Sequence, residues 1–128
     1  MKKLTIVFLT ALTILVSCKK DDKKTPDRKS RTLRYEMTGN FTGTLIAAYT
    51  TAGGGTTNDQ ITTLPWNKEI TFADNVTAAS IALVGNGGTP GQKVTLVIKR
   101  GGTQVGTPVE AVANSSGAFS EAAPVVVF

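Results

Sequence analysis

One thiol, no imidazole and a thin scatter of carboxylates make up the reactive side chains of these 128 residues. The thiol, Cys18, follows an apolar run at residues 4–16 and the small Ser17, and the chain turns at once to Lys19-Lys20-Asp21-Asp22. A thiol is the one strongly nucleophilic side chain here, and its alkylation gives a stable thioether. The six serines, Ser17, Ser30, Ser80, Ser115, Ser116 and Ser120, have no histidine to activate them, so a Ser-His-Asp relay is excluded. Glu36, Asp59, Glu69, Asp74, Glu110 and Glu121 are spaced singly, whereas glycoside hydrolysis needs two carboxylates facing one bond. Asn58-Asp59 and Asp74-Asn75 offer oxygens of the kind calcium takes, but such pairs are read first as turn residues. The glycine clusters at 53–55 and 85–91 lack the Gly-Lys-Ser/Thr of a phosphate cradle. Without histidine, zinc and copper lose their commonest ligand and acid–base catalysis its commonest group. The chain is therefore expected to be no enzyme and to carry no metal or dissociable cofactor.

What positions Cys18 is the leader before it. Lys2 and Lys3 precede an apolar run interrupted only by threonines, the pattern of a secretory signal peptide. The run is shorter than the roughly 20 apolar residues that span a bilayer. Leu15-Val16-Ser17-Cys18 resembles the lipobox of bacterial lipoproteins. That resemblance implies cleavage between Ser17 and Cys18, a diacylglycerol thioether on Cys18 and an N-acyl chain on its new amino terminus. Two or three acyl chains anchor a protein firmly where one binds only marginally. Residues 1–17 are thus expected to be a helical signal peptide absent from the mature protein. Residues 18–30 are expected to be the lipidated cysteine and a disordered tether, since Pro26 is their only further apolar residue. Lys19-Lys20-Asp21-Asp22 also resembles the export signal of surface lipoproteins of the Bacteroidota. Both an outward, cell-surface position and a periplasmic one at the outer membrane stay open; the tether serves either.

The net charge of +5 comes from the leader and tether. Residues 1–30 hold eight basic and three acidic side chains, and residues 31–128 hold six of each. A domain without excess positive charge lacks the electrostatic footprint of nucleic-acid binding. With Cys18 acylated, residues 31–128 contain no thiol, so this single domain must stand on packing alone, as a monomer.

Strand patterns fill that domain. TLRYEMTG at 32–39 alternates, GTLIAAYTT at 43–51 is apolar on both faces, and WNKEITF at 66–72 places Trp66, Ile70 and Phe72 on one side, with Lys68 the exception. Residues 78–85, 93–100, 103–110 and 117–128 complete seven strands. AGGGTTND at 52–59 reads as a turn cluster, and Gly101-Gly102 as a two-residue hairpin turn. Pro124 implies an edge or a bulge in the last strand. No window has helical periodicity, and strands at this spacing predict a β-sandwich.

LRYEMTG, TLPWNKEITF and VTLVIKRGGTQV, in that order, resemble the extracytoplasmic domain of the MmpS family, the small mycobacterial membrane proteins. The resemblance implies an immunoglobulin-like sandwich and an accessory role beside a transporter. The chain departs from that family in having a lipidation site instead of a membrane-spanning helix, and no cysteine pair around Val97. Trp66 is expected to be a core anchor, with stacking on a sugar or lipid as its other use. Two functions follow: a membrane-anchored module that contacts an envelope protein, or one that binds a glycan or lipid. Labelled palmitate fed to the native host should enter the wild-type chain and not Cys18→Ala; labelling of the variant would sink the lipoprotein reading.

Overall fold

The computed structural model describes residues 30–128. Ser17, Cys18, Lys19, Lys20, Asp21 and Asp22, with the whole signal peptide and the tether up to residue 29, lie outside the described residues. The rest is all-β. Strands β1 (Thr32–Gly39), β2 (Thr44–Thr50), β3 (Thr56–Ile61), β4 (Trp66–Thr71), β5 (Ala78–Ala79), β6 (Ile81–Asn86), β7 (Lys93–Arg100), β8 (Thr103–Gln104), β9 (Val109–Val112), β10 (Phe119–Ala122) and β11 (Val126–Val127) follow one another without a helix. The first sheet runs β4-β1-β7, with β8 and β9 sharing the far edge of β7; the second runs β10-β6-β2-β3; β5 and β11 form a short third pair.

Period-two alternation explains why these segments stack as a sandwich, since it gives each strand one apolar face. Leu33, Tyr35 and Met37 of β1 and Val94, Leu96 and Ile98 of β7 face Leu45, Ala47 and Tyr49 of β2 and Ile81 and Leu83 of β6 in one core. Burying a large side chain of this kind is worth about 1.5–3 kcal/mol. The Tyr35 and Tyr49 rings meet across the layers with centroids 6.1 Å apart. The Tyr49 hydroxyl reaches the rim, where it meets Asp59. Tyr35 does not: its hydroxyl is buried and has no hydrogen-bond partner. Residue 35 lies in the middle of a central strand, too deep for its ring to reach water.

Two edges depart from regular pairing. Gly101 and Gly102 turn β7 into β8 with φ of 55° and 82°, left-handed values that suit a two-residue hairpin. The register with β7 then slips by two residues between Lys99↔Gln104 and Leu96↔Val109, so Gly106, Thr107 and Pro108 form a bulge. A one-residue slip separates the β10–β6 and β11–β5 registers around Pro124, the bulge its missing N–H calls for.

The strand β3 corrects the sequence reading, which took 52–59 as turn. Only residues 51–55 turn; Asn58 and Asp59 belong to β3, paired with Ala48 and Ala47. As an edge strand it buries only Ile61, while Thr57 and Asp59 occupy the other inward positions, so no apolar alternation announces it.

Since every pairing is antiparallel and the connections are short, the chain shuttles between two poles. Loops 40–43, 62–65, 87–92 and 113–118 share one pole, tied by Asn40 N–H to Lys93 O (3.1 Å), Gly88 N–H to Gly117 O (2.9 Å) and Gly91 N–H to Ala113 O (2.9 Å). The other pole holds turns 51–55, 72–77 and 101–102 together with Ser30 and Phe128. There the buried Arg100 donates to Ser30 O (2.7 Å) and Val127 O (3.1 Å). Arg31 donates to Phe72 O, Ala73 O and Val76 O. Both guanidiniums lie on the Phe128 ring, Arg31 at 4.7 Å and Arg100 at 5.0 Å from its centroid.

Removing the orphaned hydroxyl tests this packing. Tyr35→Phe should raise stability by about 1 kcal/mol in chemical denaturation, because an unpaired buried polar group costs more than it returns. Burial, then the neighbouring Tyr49, push the Tyr35 phenol up to about 12 from 10. The unfolded chain therefore gives up this proton first, and folding stability should fall as pH rises from 10 through 12. The variant should lose part of that fall.

Candidate functional site

Three places on the domain carry side chains that could recognise something: the open edge between β3 and β4, the outer faces of the two sheets, and the pole opposite Ser30.

At the open edge, Asp59 of β3 and Lys68 of β4 both take inward register positions. The Tyr49 hydroxyl donates to Asp59 Oδ2 at 2.6 Å, and Lys68 Nζ lies 3.6 Å from the same oxygen and 5.9 Å from the Tyr49 ring centroid. Burial first, then the hydrogen bond to Asp59, raise the Tyr49 pKa. The Tyr49 hydroxyl, then Asp59, favour the charged ammonium and raise that of Lys68. The Tyr49 phenol and the Lys68 ammonium are thus held protonated at neutral pH, the reverse of what a nucleophile or general base needs. The cluster does structural work. Inward charges on edge strands block edge-to-edge pairing with another sheet, which also accounts for Lys68 as the exception in an apolar strand face. Glu121 holds the corresponding inward position on the β10 edge, opposite Leu83. A cavity of about 360 Å³ beside Tyr49 and Lys68 completes this edge.

Trp66 stands at the rim of the same edge. Its ring lies 6.5 Å from that of Tyr49 and packs on the core half-buried, whereas Ile70 and Phe72 are buried. It therefore does not fill the space between the sheets as expected. The first residue of an edge strand has core on one side and solvent on the other.

The two outer faces differ sharply in charge. The first sheet turns Arg34, Glu36, Glu69, Lys93, Lys99 and Glu110 outward, linked by Arg34–Glu36 (2.9 Å), Lys99–Glu36 (2.9 Å) and Lys93–Glu110 (3.0 Å). The Lys99 ammonium, with Arg34 beside it, holds the Glu36 carboxyl below its usual range. On the second sheet the outward positions of the three longer strands are Thr44, Ile46, Ala48 and Thr50 on β2, Thr56, Asn58 and Gln60 on β3, and Ala82, Val84 and Asn86 on β6. Ser120 and Ala122 on β10 complete it. None is charged.

That neutral face runs into the far pole, whose four loops contain no Asp, Glu, Lys or Arg. A cavity of about 400 Å³ opens there, lined by Thr42, Thr44, Gln60, Thr62, Asn86 and Gly87 among others. A smaller one of about 100 Å³ adjoins it through shared Thr42 and Thr62 and adds Phe41 and Leu64. Gln92 braces the rim: its side-chain oxygen accepts from Thr42 N–H (3.1 Å), Thr42 Oγ1 (3.0 Å) and Thr89 N–H (2.9 Å). Gly43 closes the floor, since any side chain there would overlap Asn86 O and Gly88 N.

The carboxylates do not converge: among the described residues no three His, Cys, Asp or Glu side chains gather in a metal-like group. Asp74 and Asn75 lie in the turn before β5, where Asp74 pairs with Arg31 at 3.7 Å. Of the residues singled out in the sequence, Trp66 and Glu36 line one surface cavity and Lys68 and Glu69 another; Thr44, Gln60 and Asn86 carried no signal, because their importance lies in which strands become neighbours. A scan against protein-family models and a search of curated proteins find no match to this chain.

Trp66→Ala should cost about 2 kcal/mol of stability, below the ~3–5 kcal/mol typical of a fully buried aromatic, with a domain that still folds. Tryptophan emission should be intermediate and partly quenched by acrylamide. A non-folding variant, or a fully protected ring, would contradict the rim position.

Proposed function

We propose that this chain is a lipid-anchored contact module of a bacterial envelope, working by binding and not by catalysis. Cys18, acylated after cleavage behind Ser17, holds it to the outer membrane. The polarity of the domain supports this reading most directly. Ser30, where the tether joins, sits at the pole clamped by Arg31 and Arg100, and the uncharged loops with the cavity of about 400 Å³ sit at the other. Residues 19–30 reach at most about 40 Å when extended, enough to lift the domain clear of headgroups with its neutral pole outward. Lys19-Lys20-Asp21-Asp22 would then direct the protein across the outer membrane. The absence of histidine and the solitary carboxylates favour recognition over chemistry. An accessory role beside a transporter is the form suggested by the MmpS resemblance; the polarity argument stands without it.

Photo-crosslinking in the native host tests the reading. A benzophenone side chain placed at Thr63 or Ser116, on the far pole, should give covalent adducts on intact cells. The same probe at Glu69 on the ionic sheet should give none, and Cys18→Ala should abolish all adducts by releasing the chain. Equal labelling at the three positions, or none at the pole, would contradict the proposal.

A further inference from the structure

We infer that the far-pole cavity and the neutral face continuous with it bind an uncharged polysaccharide; this rests on the contact-module reading and names its ligand.

The first argument is charge. A charged ligand entering the cavity would shed hydration with no opposite charge to replace it, because its lining contains neither acid nor base. The six outward charges of the first sheet are absent from the second. The ligand surface that matches is polar and neutral.

The second is hydrogen-bonding chemistry. Among the described residues, the side chains of Thr44, Gln60, Thr62 and Asn86 have no hydrogen bond to the protein, whereas Thr42 and Gln92 are tied to each other. Hydroxyl and amide groups both donate and accept, as sugar hydroxyls do. Thr44 pairs with Asn86 across β2–β6, and Gln60 stands opposite Ile46 across β2–β3, so these free groups share one patch on adjacent strands. Ile61 and Phe41 beneath the cavities are buried, so recognition rests on these hydrogen-bonding groups, with only the half-buried Leu64 offering apolar contact at the smaller cavity.

The third is shape. A volume of about 400 Å³ lies within the range of small-ligand sites, roughly 300–1,000 Å³. It is also open along the sheet, where Ile46, Ala48, Asn58, Ala82 and Val84 continue a flat uncharged track. A polymer can lie along that track while its residues fill the cavity. A second copy of this chain suits the face less well. Val84, 38 % exposed, is the one large exposed apolar side chain it presents among the described residues, too little to drive association.

Affinity electrophoresis of the protein purified from the native host, in a detergent without a sugar headgroup, tests the inference. Gels would contain laminarin, dextran, mannan or xylan as neutral polymers, and alginate or dextran sulfate as anionic ones. At least one neutral polymer should retard the chain, and any retardation by the anionic polymers, which the basic tether suffices to cause, should be the same in Gln60→Ala and Asn86→Ala. Gln60→Ala and Asn86→Ala, both at exposed positions, should weaken retardation at least tenfold without changing the melting temperature, and Glu69→Ala should leave it unchanged. No retardation by any neutral polymer, or retardation by neutral polymers untouched by Gln60→Ala and Asn86→Ala, would overturn it. The crosslinked species from Thr63 and Ser116 separate this failure from that of the contact reading. Adducts digested by protease and not by glycosidases would leave the module standing with a protein as its partner.

Discussion

Burial of two alternating faces against each other is the interaction on which the rest of this domain depends. Leu33, Tyr35, Met37, Val94, Leu96 and Ile98 on one layer and Leu45, Ala47, Tyr49, Ile81 and Leu83 on the other form a single core, and the domain has no cysteine to reinforce it. Two stacked open sheets leave four edges, each a possible template for another strand. The edges are dealt with one by one: Asp59 on β3, Lys68 on β4, Glu121 on β10, and the Gly106–Pro108 bulge between β8 and β9. The Tyr49–Asp59–Lys68 contact belongs to this set. It joins the two sheets at their open edge, and the raised pKa values of Tyr49 and Lys68 keep the phenol and the ammonium protonated at neutral pH.

From that architecture comes a polarity between the two ends of the domain. An even traffic of strands between two poles places Ser30 and Phe128 together, and Arg31 and Arg100 bind that pole through backbone carbonyls and the Phe128 ring. A buried guanidinium is tolerated only where its donors are satisfied, and Arg100 finds two carbonyls there. The opposite pole is built from Thr, Asn, Gly, Ser and Pro, with Phe41 and Phe119 in edge contact at 4.9 Å beneath it. Charge is segregated across the layers as well: the first sheet carries a paired ionic surface, the second none.

Much of this was legible in the residues themselves. Alternation at 32–39 and 93–100 marked the central strands, Gly101-Gly102 marked the hairpin, and Pro124 marked a bulge. The strand β3 was missed because an edge strand with polar inward residues has no apolar period to read. Trp66 was placed too deep because a sequence gives the face of a strand and not its distance from the sheet edge. The neutral cavity gave no signal, since Thr44, Gln60 and Asn86 are unremarkable until β2, β3 and β6 lie side by side.

The sequence by itself determined the all-β class, the balanced charge of residues 31–128 and the lack of an imidazole or thiol for chemistry there, because composition and period two are local properties of the chain. Tertiary structure alone decided which strands became edges, which pole holds Ser30 and Phe128, and which face was left without charge. Those follow from the order of strands across two sheets, a set of long-range pairings that local pattern does not encode.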